Sequence, residues 1–208
     1  MSRSLRDLMG RNIVIYDLET KVPVDQCSKG WSSMDEMGIS VGALFDYRTL
    51  RYRIFLQDNM QELIDRLNEA NTLIVAFNHI WFDNRLLRAS KYALKDDKEL
   101  NNYDMLVVSR KGANAPFNAP GFKLDDHLEA LNLPLKTGSG VNAPIWWQEG
   151  KYGTEHARVL IHVLGHQQRG RDKDEYQRKP EQDQHDRDLK VHDFTSLAVD
   201  LVALFLLP

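Results

Sequence analysis

The first pattern with clear chemical meaning is a pair of carboxylates one residue apart, Asp17 and Glu19, at the end of an apolar, β-branched run. Such a run predicts a buried strand. Side chains alternate along a strand, so both carboxylates should project from one face and Tyr16 and Leu18 from the other. Two like charges this close repel unless a cation lies between them, and carboxylate oxygens suit Mg²⁺ or Mn²⁺. The alternative is a strand that ends in a solvated Asp-x-Glu turn.

The elements that must position this pair are predicted from hydrophobic periodicity. Strands are expected at residues 38–47, 51–56 and 73–77, and helices at residues 60–67, 81–89 and 124–131. The first two of these strands should form a hairpin beside the carboxylate strand, and Asp58 or Asn59 should cap the helix that follows. The composition of residues 21–37 predicts a long loop beside the acidic pair. Residues 103–108 are compatible with either helix or strand.

A third carboxylate, Asp83, is expected in the first turn of the 81–89 helix, just after the 73–77 strand. If that strand neighbours the first one, their ends bring Asp83 towards Asp17 and Glu19, so that three carboxylates converge on one cavity. Asn78 lies at the same place in the chain. The alternatives are that Asn78 merely ends a strand and that Asp83 merely favours the positive end of a helix dipole.

The order Asp17-Leu18-Glu19-Thr20, then Asn78-x-x-x-Phe82-Asp83, resembles the first and second motifs of the DEDD (DnaQ-like) 3′-to-5′ exonucleases. The resemblance continues through residues 122–126 and 136–140 to residues 143–151, and so covers about the first 150 residues. It implies an α/β fold, with a ribonuclease H-like mixed β-sheet flanked by α-helices.

For the carboxylates, the resemblance implies a two-metal phosphodiesterase. Asp17 would bridge two Mg²⁺ or Mn²⁺ ions, Glu19 would bind one of them, and Asp83 would hold the second directly or through water. Two ions about 3.5–4 Å apart activate a water on one side and stabilise the leaving 3′-oxygen on the other.

For the substrate, the resemblance implies that the backbone groups of Leu18 and Thr20 lie beside the terminal nucleotide. The Phe82 side chain would lie there as well. Asn78 would hydrogen-bond the substrate strand. The alternative for Phe82 is a core aromatic on its helix.

The expected function is therefore metal-dependent 3′-to-5′ exonuclease activity, the hydrolysis of phosphodiester bonds at single-stranded or frayed DNA 3′ ends in proofreading, repair or replication. A polymerase or another replication protein is a further expected partner. The rival hypothesis is a catalytically impaired nucleic-acid-binding module of the same fold.

The family's third motif, Tyr-x-x-x-Asp or His-x-x-x-x-Asp, should follow within a dozen or so residues of Tyr152, and it is not found there. The fourth metal ligand and the general base are therefore unassigned. Three explanations compete. Asp188 or Asp193 substitutes from an unusual place, or the domain binds without cleaving, or the gene carries a one-nucleotide slip after about Tyr152.

Composition divides the chain into an exonuclease-like domain, residues 1–152, and an atypical charged C-terminal segment, residues 153–208. Residues 167–193 are almost entirely charged or amide-bearing, so they cannot bury enough surface to offset chain entropy, and partial disorder or an altered sequence is expected there. The net charge of −3 excludes a broadly basic nucleic-acid coat. Any nucleic acid must therefore be held locally.

The sequence also predicts a cytoplasmic protein with no membrane partner. Cys27 is the only cysteine, which excludes an intrachain disulfide and fits a reducing compartment. The first residues lead into no apolar signal segment. The apolar run at residues 197–207 contains Asp200 and is shorter than a membrane span requires.

Overall fold

The computed structural model describes residues 12–132 and 142–150, and within them a five-stranded sheet is flanked by helices. The strands are β1 (Ile13–Thr20), β2 (Ile39–Asp46), β3 (Arg51–Phe55), β4 (Leu73–Ala76) and β5 (Asn101–Asp104). The helices are α1 (Met34–Met37), α2 (Met60–Asn68), α3 (Asp83–Ala89), α4 (Met105–Gly112), α5 (Leu124–Ala130) and α6 (Asn142–Gln148). The predicted domain boundary at residue 152, the charged C-terminal segment and both candidate substitutes, Asp188 and Asp193, lie outside the described residues.

The strand order is β3-β2-β1-β4-β5, with β1 at the centre of the sheet. The first three strands pair antiparallel, and β1, β4 and β5 pair parallel. The predicted hairpin is thus β2 and β3, next to the carboxylate strand. This mixed sheet is consistent with the ribonuclease H-like fold, and the predicted α/β class is confirmed.

The alternation predicted for β1 divides its side chains between two cores. Val14, Tyr16 and Leu18 pack on the face that is covered by α1, α2 and α3. Ile13 and Ile15 pack on the opposite face, which Met105 at the start of α4 helps to cover. Since side chains alternate, Asp17 and Glu19 belong to this second face.

The predicted helix at residues 60–67 is confirmed as α2, but its start differs from the expected cap. The Asn59 side chain makes no capping bond to α2. Its Oδ1 instead accepts the Leu56 N–H at 2.6 Å and its Nδ2 donates to the Ile54 carbonyl at 3.3 Å, so it closes the turn that leaves β3. The Asn59 side chain therefore hydrogen-bonds the backbone of the preceding turn instead of the first turn of the helix.

Residues 21–37 are not the long loop that their composition predicts. They contain two short 3-10 helices, Val24–Gln26 and Gly30–Ser32, followed by α1. Met34 and Met37 of α1 are buried, as is Cys27. A four-residue helix has a single pair of apolar positions, which is too little to produce a periodic signal.

Residues 103–108, whose pattern was compatible with either helix or strand, contain the end of a strand and the start of a helix. β5 ends at Asp104 and α4 begins at Met105. Among the described residues, none of the helices has the length and apolar character needed to cross a membrane.

Candidate functional site

The end of β1 is where the sheet opens. β1 pairs with β2 as far as Thr20, whereas its pairing with β4 stops at Ile15 opposite Val75. Beyond that point, no strand among the described residues pairs with β1 on its β4 side. Asp17, half-buried, and Glu19, 8% exposed, lie in this part of the strand.

Asp83 fills the opening from the β4 side. It is the first residue of α3 and is 2% exposed, and its Oδ1 accepts the Leu18 N–H at 3.1 Å. The backbone group that it binds lies between the two carboxylates of β1. Burial raises the pKa of Asp83 well above its usual range, and the charges of Asp17 and Glu19 raise it further. Three carboxylates from two segments therefore share one electrostatic environment.

A polar network holds α3 in this position. The Tyr16 hydroxyl donates to Asn84 Oδ1, and Asn84 Nδ2 donates to Asp97 Oδ1 at 2.7 Å. Arg88 donates two further hydrogen bonds to the Asp97 carboxylate, at 2.8 and 3.0 Å. Because Asn84 directly follows Asp83, this network fixes the start of the helix against β1.

Asp104 is a residue that the sequence reasoning missed. It is 2% exposed, and its carboxylate accepts four backbone N–H groups. Two of them, Asn78 at 3.0 Å and Ile80 at 3.1 Å, belong to the turn between β4 and α3. The other two, Leu106 at 3.0 Å and Val107 at 3.3 Å, belong to the first turn of α4. Asp104 therefore joins the turn that presents Asp83 to the end of β5.

The available signal for Asp104 was its place immediately before an apolar helical run, since Asp is a preferred N-cap residue. His79 is packed against the same carboxylate. Its side chain is fully buried, its Nδ1 lies 3.5 Å from Asp104 Oδ2, and its Nε2 lies 3.1 Å from Asn102 Oδ1. Burial lowers the pKa of His79, although the nearby Asp104 charge opposes this change.

The residues expected to bind substrate are placed differently from one another. The Leu18 side chain is 3% exposed and belongs to the core, so only its backbone faces the site, and its N–H is already bound to Asp83. Thr20 is half-buried at the end of β1. Asn78, half-buried, has a φ of 62° and its carbonyl accepts the Phe82 N–H at 3.1 Å.

Phe82 packs on the core, as its alternative interpretation predicts, whereas its place beside a terminal nucleotide stays a prediction. It is half-buried against the α1–α3 core, and its ring also meets Trp31 edge to face, with 5.8 Å between ring centroids. Trp31, 62% exposed, comes from the segment that was predicted as a loop. An exposed aromatic therefore contacts the residue that precedes Asp83, in a place that sequence periodicity did not reveal.

Comparison with known proteins bears on the fold. Neither the family models nor the curated proteins contain a match to this chain. Among solved structures, the family B DNA polymerase from the hyperthermophilic archaeon Pyrobaculum calidifontis is similar, with 15% sequence identity and a TM-score of 0.53. The likeness is one of fold. It covers 72% of this chain and 22% of the polymerase chain, so the present chain matches about a fifth of that protein's length.

The site has the chemistry of a divalent-cation site without its complete geometry. Its donors are carboxylate oxygens, which Mg²⁺ and Mn²⁺ prefer, and a cation would offset the repulsion felt by the buried Asp83. Within residues 12–132 and 142–150, however, no three His, Cys, Asp or Glu side chains are grouped so that they could hold a metal ion. The donor types therefore fit such an ion, and its binding requires a further ligand or a rearrangement of these side chains.

Proposed function

We propose that this chain is a metal-dependent 3′-to-5′ exonuclease that acts on single-stranded or frayed DNA ends. The observation that carries the proposal is the position of Asp83. It comes from a separate segment and binds the Leu18 N–H between Asp17 and Glu19, which buries a third carboxylate beside the pair. This arrangement matches the order in which the first two exonuclease motifs supply their carboxylates. The shared fold with a DNA polymerase is compatible with a DNA substrate.

In the proposed reaction, Asp17, Glu19 and Asp83 would hold two Mg²⁺ or Mn²⁺ ions. When bound, the ions would activate the attacking water and stabilise the leaving 3′-oxygen. The chain itself orients the substrate. Asn78, in the turn before α3, would hydrogen-bond the substrate strand, and Phe82 would lie beside the terminal nucleotide.

The decisive test is digestion of a 5′-labelled single-stranded oligonucleotide by the full chain with Mg²⁺ or Mn²⁺. We expect products that shorten progressively from the 3′ end, and no shortening with EDTA. Asp17→Asn keeps the size of the side chain and removes its charge, so it should slow shortening by roughly 100-fold or more, the loss typical for removal of one preorganised electrostatic group. Asp25→Asn, an exposed carboxylate in the neighbouring segment, is the matched control and should retain the wild-type rate.

A second readout tests ion binding without activity. An ion that binds only the folded state raises its melting temperature, by an amount that grows with the logarithm of the free ion concentration once this exceeds the dissociation constant. Mn²⁺ should therefore stabilise the wild-type chain and Asp25→Asn, but not Asp17→Asn. Equal stabilisation of all three proteins would contradict a role for Asp17 as a ligand.

A nucleic-acid-binding module without cleavage is the second candidate. It is favoured by the absence, within the described residues, of a three-residue group that could hold a metal ion. In this case the oligonucleotide is retained by the chain, remains at full length with either ion, and is bound equally well by Asp17→Asn.

A further inference from the structure

Two large aromatic side chains stand exposed side by side on the surface, and one of them lies two residues before Asp83 in the chain. Trp81 is 51% exposed and Phe117 is 69% exposed, and their ring centroids lie 6.2 Å apart at an interplanar angle of 74°. Trp81 belongs to the turn before α3, and Phe117 belongs to the segment between α4 and α5. Their contact leaves much of both rings accessible to solvent, although burial would be favourable for each.

A positive charge is held on the same surface. The Arg110 guanidinium, on α4, lies 4.9 Å from the ring centroid of Phe117 and 5.9 Å from that of Phe122. Its buried Nε has no hydrogen-bond acceptor, and none of the ion pairs among the described residues includes Arg110. The two rings therefore orient a cation that no described carboxylate neutralises. We name Trp81, Arg110, Phe117 and Phe122 the aromatic patch.

The aromatic patch combines two features that single-stranded nucleic acid requires. Exposed rings offer faces on which unpaired bases stack, and an oriented guanidinium binds phosphate oxygens. Since the whole chain carries a net charge of −3, such a cation provides local attraction for a polyanion that the chain as a whole repels.

We propose that the aromatic patch binds the single-stranded segment that leads to the carboxylate site. This inference rests on the proposed function for the direction of the strand. Trp81 precedes Asp83 by two residues, so their Cα atoms lie within about 7 Å of each other. Nucleotides behind the reacting 3′ end therefore meet Trp81 first, then Phe117 and the Arg110 charge.

The test measures binding of a fluorescein-labelled oligothymidylate of about 12 nucleotides to the full chain. Fluorescence anisotropy monitors the binding, and EDTA is present so that the probe is not cleaved. Trp81→Ala and Phe117→Ala should each weaken binding about fivefold or more, the effect of losing one stacked base. Trp81→Phe keeps a π-face and should restore most of the affinity. Arg110→Ala should reduce the slope of log affinity against log salt by about 0.7, the value for one phosphate contact on a single strand.

Two control variants separate these effects from general surface changes. Val107→Ala removes exposed apolar area from the same helix as Arg110 without removing a ring. Arg51→Ala removes an exposed cation from β3, at the far edge of the sheet. Both should bind the oligothymidylate as the wild type does.

Wild-type affinity in Trp81→Ala and Phe117→Ala would overturn the inference, and so would equal losses for single-stranded and duplex probes, because paired bases are not free to stack. The proposed function fails separately. Absence of Asp17-dependent shortening, together with weakened binding in the patch variants, removes the exonuclease proposal and leaves the aromatic patch in place. Shortening that depends on Asp17, together with wild-type binding in the patch variants, supports the exonuclease proposal and rejects the role of the aromatic patch.

Discussion

Asp104 should be one of the most sensitive positions in the described part of the chain, because one carboxylate serves two turns. Asp104→Ala removes the acceptor that caps α4, a change that typically costs about 1 kcal/mol. It also leaves the N–H groups of Asn78 and Ile80 without their acceptor. Each loss costs about 1–3 kcal/mol, and about 1 kcal/mol here because both bonds are only partly buried. The free energy of unfolding should therefore fall by about 3 kcal/mol.

Asp104→Asn should destabilise the chain less than Asp104→Ala, because it keeps part of the acceptor. An amide keeps one oxygen, which can still accept the bonds that now go to Oδ1, and it replaces Oδ2 with an NH₂ donor facing the Ile80 N–H. The free energy of unfolding should fall by about 1 kcal/mol, less than in Asp104→Ala. Asp125→Ala, an exposed carboxylate on α5, should stay within about 0.5 kcal/mol of the wild type.

Urea unfolding followed by circular dichroism measures these three free energies. Amide hydrogen exchange tests the geometry directly, since Asp104→Asn should speed exchange at Ile80 more than at Asn78. The reasoning is refuted if Asp104→Ala lies within 1 kcal/mol of the wild type, if Asp104→Asn is the more destabilising change, or if exchange at Ile80 is unchanged.

Two further predictions concern stability. Arg66 donates to the buried Asp46 carboxylate at 2.8 and 3.2 Å, so Arg66→Ala should lower the free energy of unfolding by about 3 kcal/mol in urea titrations, with a loss under 1 kcal/mol contradicting a structural role. Burial lowers the pKa of His79, so the unfolded chain takes up a proton below about pH 6.5 more readily than the folded one. Stability should thus fall on acidification below that pH, by at most about 1.4 kcal/mol per pH unit from this group, and His79→Gln should flatten the pH profile, whereas an unchanged profile would contradict the assignment.

The elements that the sequence predicted well are those with clear apolar patterns. β1, the hairpin and α2 repeat apolar positions often enough to identify their type, and β4, although only four residues long, is entirely apolar. α1 and β5 are equally short and mostly or half polar, so their patterns cannot be distinguished from a loop. Their structure depends on packing against the rest of the chain, which local sequence does not record.

The same difference applies to the candidate site. The approach of Asp83 to β1 was predictable, because neighbouring parallel strands bring their carboxyl ends to one edge of the sheet. The binding of Asp104 to two turns was not, because its four donors are backbone N–H groups, which every residue except proline carries. The aromatic patch was hidden for a related reason. Trp81, Phe117 and Arg110 come from three separate segments, and only the fold brings them together.

The length of the β1–β4 pairing determines whether the site exists at all. If β4 continued beyond Ala76 alongside β1, a β4 carbonyl would occupy the Leu18 N–H and Asp83 would have no place between the carboxylates. The chain leaves β4 after Ala76, and the positive φ of 62° at Asn78 turns the backbone away from the sheet. Asn adopts this conformation at low cost, and Asp104 fixes the turn by binding its N–H. A four-residue strand, one left-handed residue and one buried acceptor thus bring Asp83 to β1, so a variant that lengthens β4 should lose the site while keeping the sheet.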